Sequence, residues 1–467
     1  MKKKIARYVV LFTSILLVSL MATYIGLAVY YHNAFEYGTW INQVYCTGRS
    51  IEEVNEELVK DFHYDGITIV DRDGNSYEIV ATDIAYQFDF VKALEIYQKR
   101  QNSWAWIDSL FHAQVRELTP VVSFDEQKLE ECLGGIPILQ QAQAEEDRRV
   151  AIIKTNQGYE LINERVNVLS TEEAREAIIT AISDSKTELS LEEAGCYHDL
   201  ELDAAMQDTL ALWKKLDAFQ HQCNVVYQMG EDQIPVDASV VCEWIELSED
   251  GSFALDESGN LQLAENAIPD FIKNLAAEYD TVGGTRQFQP TRGEAVMVEG
   301  GIYGNQIDQG AEVEYLTDAF NRKLTEVHEP TYKQKAWKQG KDDIGATYIE
   351  VDMGEQMMYY YKDGVLQLET PIVTGNTSLR RGTPSGVNYV YLKQTNRILR
   401  GPGYASHVDF WMPVKGGIGI HDAAWRSKYG GEIYKTNGSH GCINTPRDAM
   451  EQLFDMAEVG TPVVMFY

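Results

Sequence analysis

The sequence predicts a multidomain chain: one N-terminal transmembrane helix, α+β modules through the middle, and a mostly-β C-terminal domain. Three observations predict it. Residues Tyr8 to Tyr30 form an uncharged run behind a basic flank, hairpin signals alternate with helical periods over about 31 to 338, and short β-type runs with glycine-bearing turns follow Gly345. At 467 residues the chain exceeds the size at which one hydrophobic core keeps growing. With 44% apolar residues, 11% aromatics and only 12 prolines, the composition is that of a folded protein. The expected divisions are 1–30, 31–216, 217–338 and 339–467.

Tyr8 to Tyr30 is long enough as a helix to cross the hydrocarbon layer. Lys2, Lys3, Lys4 and Arg7 precede it, which keeps the N-terminus in the cytoplasm and places the rest outside. A cleaved signal peptide is the competing reading. The apolar run is longer than a signal peptide's core, however, and no small-x-small site ends it, so an uncleaved single-pass anchor in the cell membrane is expected. The net charge of −31 repels a phosphate backbone and excludes nucleic acid as a partner.

In the middle region, GITIVDRDGNSYEIV at 66–80 reads as two strands about an Asp-Gly-containing turn, followed by a long aromatic helical pattern through Trp104 and Trp106. A hairpin and then a helix recur at 150–162 and from 171, which hints at a duplicated α+β unit. From about 217 to 338, Ile268, Phe271, Ile272, Leu275, Ala276 and Tyr279 share one face of an amphipathic helix. Its expected partners are strands near 224–227 and 295–298. These regions read as spacers or glycan-binding modules, although periodicity by itself supports only packing. KQKAWKQGKDD at 333–343 has no apolar period and reads as a linker.

In the last segment, 346–351, 356–361 and 365–374 are β-type runs, and 416–421 alternates Gly and Ile up to a histidine. Thr445, Pro446 and Asp448 resemble an N-cap, an N1 proline and a capping-box acid for a helix running to about Ala457. Val463 to Tyr467 closes the chain as a strand.

His407, His421 and His440 fall in one short stretch with Cys442. The string SHGCIN, 439–444, sets a thiol on a glycine-containing turn two residues after a histidine and ahead of a helix. A neighbouring imidazolium and a helix dipole both stabilise a thiolate. Gly441 allows torsions in which successive amides converge on one point, an oxyanion site. His421 is the candidate base, because an imidazole titrates near neutrality. Ser439, Asp422 or a backbone carbonyl would orient its ring. A zinc site from His421, His440 and Cys442 is the competing reading, disfavoured because His440 and Cys442 are separated by one glycine. No metal and no cofactor are expected. If Cys442 is a working thiol, Cys46, Cys132, Cys196, Cys223 and Cys242 remain, an odd number without CxxC spacing. They read as small buried hydrophobes at least as well as a disulfide framework.

His421, seventeen intervening residues and then Ser439, His440, Gly441, Cys442, Ile443 and Asn444 resemble the signature of the L,D-transpeptidase family with its YkuD-type catalytic domain. GTPSG at 382–386 and IHDAAW at 420–425 are also similar to that family's pattern. The stretch from Asp280 to Asp308 resembles the peptidoglycan-binding module that precedes such domains in Gram-positive members. The resemblance implies a YkuD-like β-sandwich with a short helix after the cysteine. It also implies a reaction. Cys442 attacks the bond between the third residue and D-Ala of a tetrapeptide stem, D-Ala leaves, and an acceptor amine resolves the thioester into a 3→3 cross-link, with roles in cell-wall biogenesis and cell shape. His421 is then base and later acid, the Gly441 and Cys442 amides with His440 nearby form the oxyanion site, and Ser439 or Asp422 holds the imidazole. Asn444 stands where many bacterial members carry Arg, and Arg426 and Arg447 are the candidates to take up a substrate carboxylate; Trp425 and Tyr429 would line the cleft. Carbapenem-type acylating inhibitors, and hence β-lactam resistance, follow from the same resemblance. Two alternatives remain: a carboxypeptidase or endopeptidase that uses water as acceptor, and a non-catalytic wall-binding scaffold.

Overall fold

The computed structural model describes residues 2–140, 147–401 and 404–467. The chain forms two compact units, Met1–Ala151 with Ile162–Gln207, and Ile152–Leu161 with Asp208–Tyr467.

The first unit opens with α1 (Lys2–Tyr30), an apolar helix exposed along most of its length and long enough to cross a membrane. Strands β1 (Gly66–Val70) and β2 (Ser76–Val80) pair antiparallel as the turn chemistry predicts. The Asp71 carboxylate closes that turn by accepting from the Asn75 amide at 2.8 Å. The long aromatic helix expected next is interrupted. Helix α2 (Val91–Arg100) stops at Gln101, whose side chain donates to the Tyr31 and Ala34 carbonyls, and a 3-10 turn at Ser103–Ala105 and a single helical turn at Trp106–Ser109 follow.

Helix α3 (Thr171–Ser183) is capped by Ser170. It buries Ala174, Ile178 and Ile182 against Ile67, Ile69 and Ile79 of the first hairpin, and β3 (Glu188–Ser190) extends that sheet in parallel with β1. The hairpin at 150–163 turns its Ile152 and Tyr159 to a different core. The recurrence seen in the sequence is therefore not a structural repeat, because the second helix serves the first hairpin.

In the second unit, β4 (Asn224–Met229) pairs with β5 (Asp232–Val236), and α4 (Ala267–Tyr279) lays Ile268, Ile272 and Leu275 on Val225 and Tyr227. The other expected partner of α4 lies elsewhere. Strand Val296–Glu299 pairs with Thr285–Phe288, and its Val298 packs with Val387, Val464 and Phe466 of the C-terminal sheet. Gly301 bridges to Val387 there at φ +108, where a Cβ would lie 1.9 Å from the Val387 carbonyl oxygen.

The stretch 333–343 is not a loose linker. Ala336 is buried, and Asp343, at 0% exposure, receives Arg286 Nε at 2.8 Å, Arg286 Nη2 at 2.7 Å and Thr281 Oγ1 at 2.6 Å. Charged residues anchor it, which an apolar-period reading does not register.

The C-terminal β region has two sheets. The first orders β9 (Val365–Pro371), β8 (Met357–Lys362), β7 (Tyr348–Asp352), β15 (Pro462–Phe466) and β10 (Gly386–Tyr389); the second orders β11 (Gln394–Gly401), β12 (Tyr404–Lys415), β13 (Ile418–Asp422) and β14 (Ile443–Thr445). Ile349, Val351 and Met358 from one sheet meet Met412, Ile420 and Ile443 from the other, with Met450 and Leu453 of α7 (Arg447–Met456) completing the core. The cap of α7 differs from the expectation. Pro446 holds the cap position without a side-chain bond, while Thr445 is buried in β14 and turns its hydroxyl to Ile443.

Breaking the bidentate Arg286–Asp343 pair leaves a buried guanidinium uncompensated. Asp343→Ala is expected to cost about 3–5 kcal/mol, read as an earlier unfolding transition of the C-terminal unit in calorimetry.

Candidate active site

The site is built on the register of three strands. Trp411 of β12 lies opposite His421 of β13, and His421 opposite Asn444 of β14. Cross-strand partners share a face of the pleat, so the three side chains form one row. Residue 442 immediately precedes β14, and its thiol lies beside the Gly417 carbonyl and the Gly419 amide, lining a cavity that His421 and Asn444 also line.

His421 is 3% exposed and lies between two indoles, 5.8 Å from Trp411 and 5.9 Å from Trp425 by ring centroids. Its Nδ1 donates to the Asp422 carbonyl at 2.8 Å. A carbonyl only accepts, so the proton resides on Nδ1 and Nε2 carries a lone pair. Asn444 Nδ2 donates to that lone pair at 3.1 Å. Arg426 Nε donates to Asn444 Oδ1 at 2.8 Å, which fixes which end of the amide faces the ring. Of the three groups considered for orienting His421, it is the backbone carbonyl that does so. The Asp422 carboxylate is occupied by the Phe410 amide at 2.8 Å.

Ser439 has a different task. Its Oγ donates to the Cys442 carbonyl at 2.6 Å and accepts from the Gly441 amide at 3.0 Å, closing the 439–442 turn on itself. The Gly441 amide, expected in the oxyanion site, is thereby occupied, which leaves the Cys442 amide of the expected pair. Gly441 adopts φ +117, the left-handed half of backbone space that favours glycine.

Thr383 belongs to the TPSG segment, whose pattern alone gives it no role. Its hydroxyl accepts from Gly375 N at 3.0 Å and donates to Gly441 O at 2.8 Å. It fixes the peptide plane between Gly441 and Cys442 and, because that bond is trans, turns the Cys442 N–H away from Thr383. The threonine directly after Gly382 in the GTPSG pattern is the one sequence signal that could have pointed to it.

Cys442 Sγ contacts the Gly417 carbonyl at 3.7 Å. Burial pushes its thiol up, opposed by a hydrogen bond from the Gly419 amide. Burial also holds His421 below the usual imidazole range, with the Asp422 contacts opposing. Both shifts favour the neutral form, thiol and free imidazole. The expected helix dipole is not at the thiol, since β14 separates Cys442 from the first residue of α7 and the effect fades within one turn.

Two cavities open on Cys442. One of about 240 Å³ is lined by His421, Trp425, Arg426, Ser439, His440 and Asn444, and the other, of about 430 Å³, by Tyr391, Arg397, Arg400, Trp411 and Gly417. Leu399 of β11 borders both. His440 is exposed and accepts from Arg381 Nη1 at 2.5 Å; burial first and then that guanidinium hold its imidazole below the ordinary value.

The remaining expected residues divide. Trp425 lines the first cavity and is exposed. Arg426 and Asn444 line it too, but they bond to one another. Tyr429 donates to the Ala423 carbonyl at 2.8 Å and supports the loop after β13. Arg447 lies outside both cavities, paired with Asp409 at 2.8 Å and Glu451 at 3.2 Å. His407 lies beside Asp409 on β12. All six cysteines are free thiols, and burial raises the other five. Among the described residues, no group of three His, Cys, Asp or Glu side chains is placed to hold a metal ion.

Thr383→Val removes a buried donor and acceptor at once and leaves Gly375 N and Gly441 O unpaired. It is expected to cost roughly 1–3 kcal/mol of stability and to slow Cys442 alkylation, measured by thermal unfolding and by intact mass against time.

Residues 346–465 match the L,D-transpeptidase catalytic domain, YkuD. A mutant form of the Enterococcus faecium L,D-transpeptidase is 33% identical over 54% of this chain and 99% of that one, with a TM-score of 0.47. The catalytic domain of the E. faecium L,D-transpeptidase acylated by ertapenem is 51% identical over 26% of this chain and 98% of that one, with a TM-score of 0.25. The Ldtfm-avibactam carbamoyl enzyme is 33% identical over 55% of this chain and 98% of that one, with a TM-score of 0.48. A search of curated proteins gives no match. On the domain match and on 33% identity across nearly the whole of a related enzyme, the chain belongs to the L,D-transpeptidase family.

Proposed function

We propose that this protein is a peptidoglycan L,D-transpeptidase that works outside the cell membrane, held there by α1 with its N-terminus in the cytoplasm, and that forms 3→3 cross-links through a Cys442 thioester. The observation that carries the reading is the row Trp411, His421, Asn444, with Cys442 lining two open cavities, one of them shared with His421 and Asn444. One cavity takes the tetrapeptide donor and the other the acceptor amine.

The Cys442 side chain rotates away from Gly417 and gives its proton to His421 Nε2, while the Asn444 amide releases that lone pair. Sγ bonds to the carbonyl carbon of the third stem residue. The Cys442 amide and nearby His440 face the developing oxyanion, where fixed dipoles act without reorganising. His421 passes its proton to the departing nitrogen, the C–N bond breaks, and D-Ala leaves. The acceptor amine then attacks the thioester, loses a proton to His421, and the thiolate regains it as the cross-link forms. The reaction takes two neutral groups to an ion pair inside a partly desolvated site, so its barrier depends on how well the row keeps the ring in place.

The related enzymes' acylation by ertapenem and carbamoylation by avibactam support reaction of Cys442 with the same electrophiles. Residues 31–216 and 217–338 are read as modules that space the active site toward the wall and bind glycan.

Incubation with tetrapeptide-bearing muropeptides should give a dimer lacking one D-Ala by mass spectrometry. Cys442→Ala should give none, and a surviving dimer rejects the nucleophile. His421→Ala is expected to slow acylation by roughly 10²–10⁴-fold. Because burial lowers the His421 pKa, the base stays unprotonated into mild acid. The acid limb of the acylation rate with ertapenem should therefore lie below pH ~6.5, and a limb above 7 would contradict this assignment.

A further inference from the structure

The aromatic stretch after α2 has no part in the chemistry, and it sits against the anchor. Tyr24 of α1 donates its hydroxyl to the Trp104 carbonyl at 2.6 Å, and Trp106 Nε1 donates to the Tyr24 carbonyl at 3.2 Å. A groove of about 430 Å³ runs between them, lined by Leu17, Leu20, Met21, Tyr24, Trp106 and Ile107. Large apolar side chains of the same stretch are also exposed: Trp104 is 56% exposed and Phe111 77%, with Leu110 exposed between them in sequence.

The depth of this segment follows from the helix. If the hydrocarbon layer of about 30 Å begins at Tyr8, a rise of 1.5 Å per residue ends it near residue 28. Leu20 and Tyr24 then lie roughly 6–12 Å below the outer boundary, and the residues that touch them lie at comparable depth. Ala28 is buried by protein, so the fold already encloses the helix where it leaves the bilayer. Asp108 and His112, 3.3 Å apart and exposed, lie on the same segment and limit how far it sinks. Trp and Phe just inside the headgroup–acyl boundary, with a carboxylate among them, match an interfacial element rather than a spanning one. The net charge of −31 gives no attraction to an anionic leaflet, so the contact has to be apolar.

We propose that Ser103–Phe111 is a second membrane contact, an interfacial wedge that covers its exposed aromatic face with acyl chains of the outer-leaflet lipids. The wedge and α1 together hold the first unit down on the bilayer as a rigid base instead of letting it swing on a single helix. This rests on reading α1 as a bilayer-spanning anchor, and the experiment separates the two.

The full-length chain is reconstituted in phosphatidylglycerol/phosphatidylcholine vesicles with and without bromine on the upper acyl carbons. Flotation reports the anchor, and tryptophan emission reports the wedge. The expected result is flotation together with loss of roughly a quarter of the emission in brominated vesicles, the share of two among eight tryptophans, and disappearance of that loss in the Trp104→Phe, Trp106→Phe double variant. Retained ertapenem acylation shows that the variant's catalytic domain is folded. Flotation without quenching overturns the wedge and leaves the anchor standing, as does quenching that survives in the variant. Failure to float overturns both. A disulfide dimer formed in vesicles by Phe111→Cys in a Cys442→Ala background would mean that a second copy covers the face, and would also overturn the proposal.

Discussion

The parallel pairing of β13 with β14 is the constraint on which the site depends. Its register sets Ile420 opposite Ile443 and His421 opposite Asn444. Both isoleucines are fully buried in the core between the sheets. Because side chains alternate across the pleat, burying Ile420 and Ile443 forces their neighbours to the other face, where His421, Asn444 and the end of Trp411 meet. A slip of one residue would bury the imidazole in the core and separate it from Asn444. Hydrophobic packing on one side of the ladder thus specifies the polar arrangement on the other.

That arrangement suppresses charge until a substrate arrives. The thiol is raised and the imidazole lowered, both chiefly by burial, which favours the neutral form of each. Arg426 is a positive group that acts on His421, but its guanidinium is engaged by Asn444 and by the Asn437 carbonyl at 2.9 Å. A neutral resting pair differs from the thiolate–imidazolium expected from the SHGCIN turn, and the difference lies in desolvation, which sequence spacing does not report. Within the proposed reaction, substrate binding rather than a preformed ion supplies the moment of proton transfer.

The sequence made the outline of the fold legible where one local rule decides it. Apolar length gives α1, an Asp-Gly turn between alternating residues gives the 66–80 hairpin, and the spacing of Ile268, Ile272 and Leu275 gives α4. It was less informative where tertiary contacts decide. Val298 packs against the C-terminal sheet, Asp343 anchors a supposed linker through Arg286, and Gln101 ends a helix by bonding to two distant carbonyls. In the site, the residue types were legible and their partners were not. Ser439 closes its own turn through the particular backbone torsions of 439–442, Thr383 holds the peptide plane of Gly441 from a segment some sixty residues away, and Asn444 faces His421 through strand register. Arg447, conspicuous in the sequence, is a surface partner of Asp409.

The tautomer and charge of His421 test the central claim most directly. In ¹⁵N-labelled protein, two-bond proton–nitrogen spectra of the imidazole should show Nδ1 protonated and Nε2 bare at pH 7, and the ring should remain neutral as the pH falls to the ordinary imidazole value of about 6.5. A ring carrying its proton on Nε2, or one already charged at neutral pH, would contradict the account of how this row holds its base.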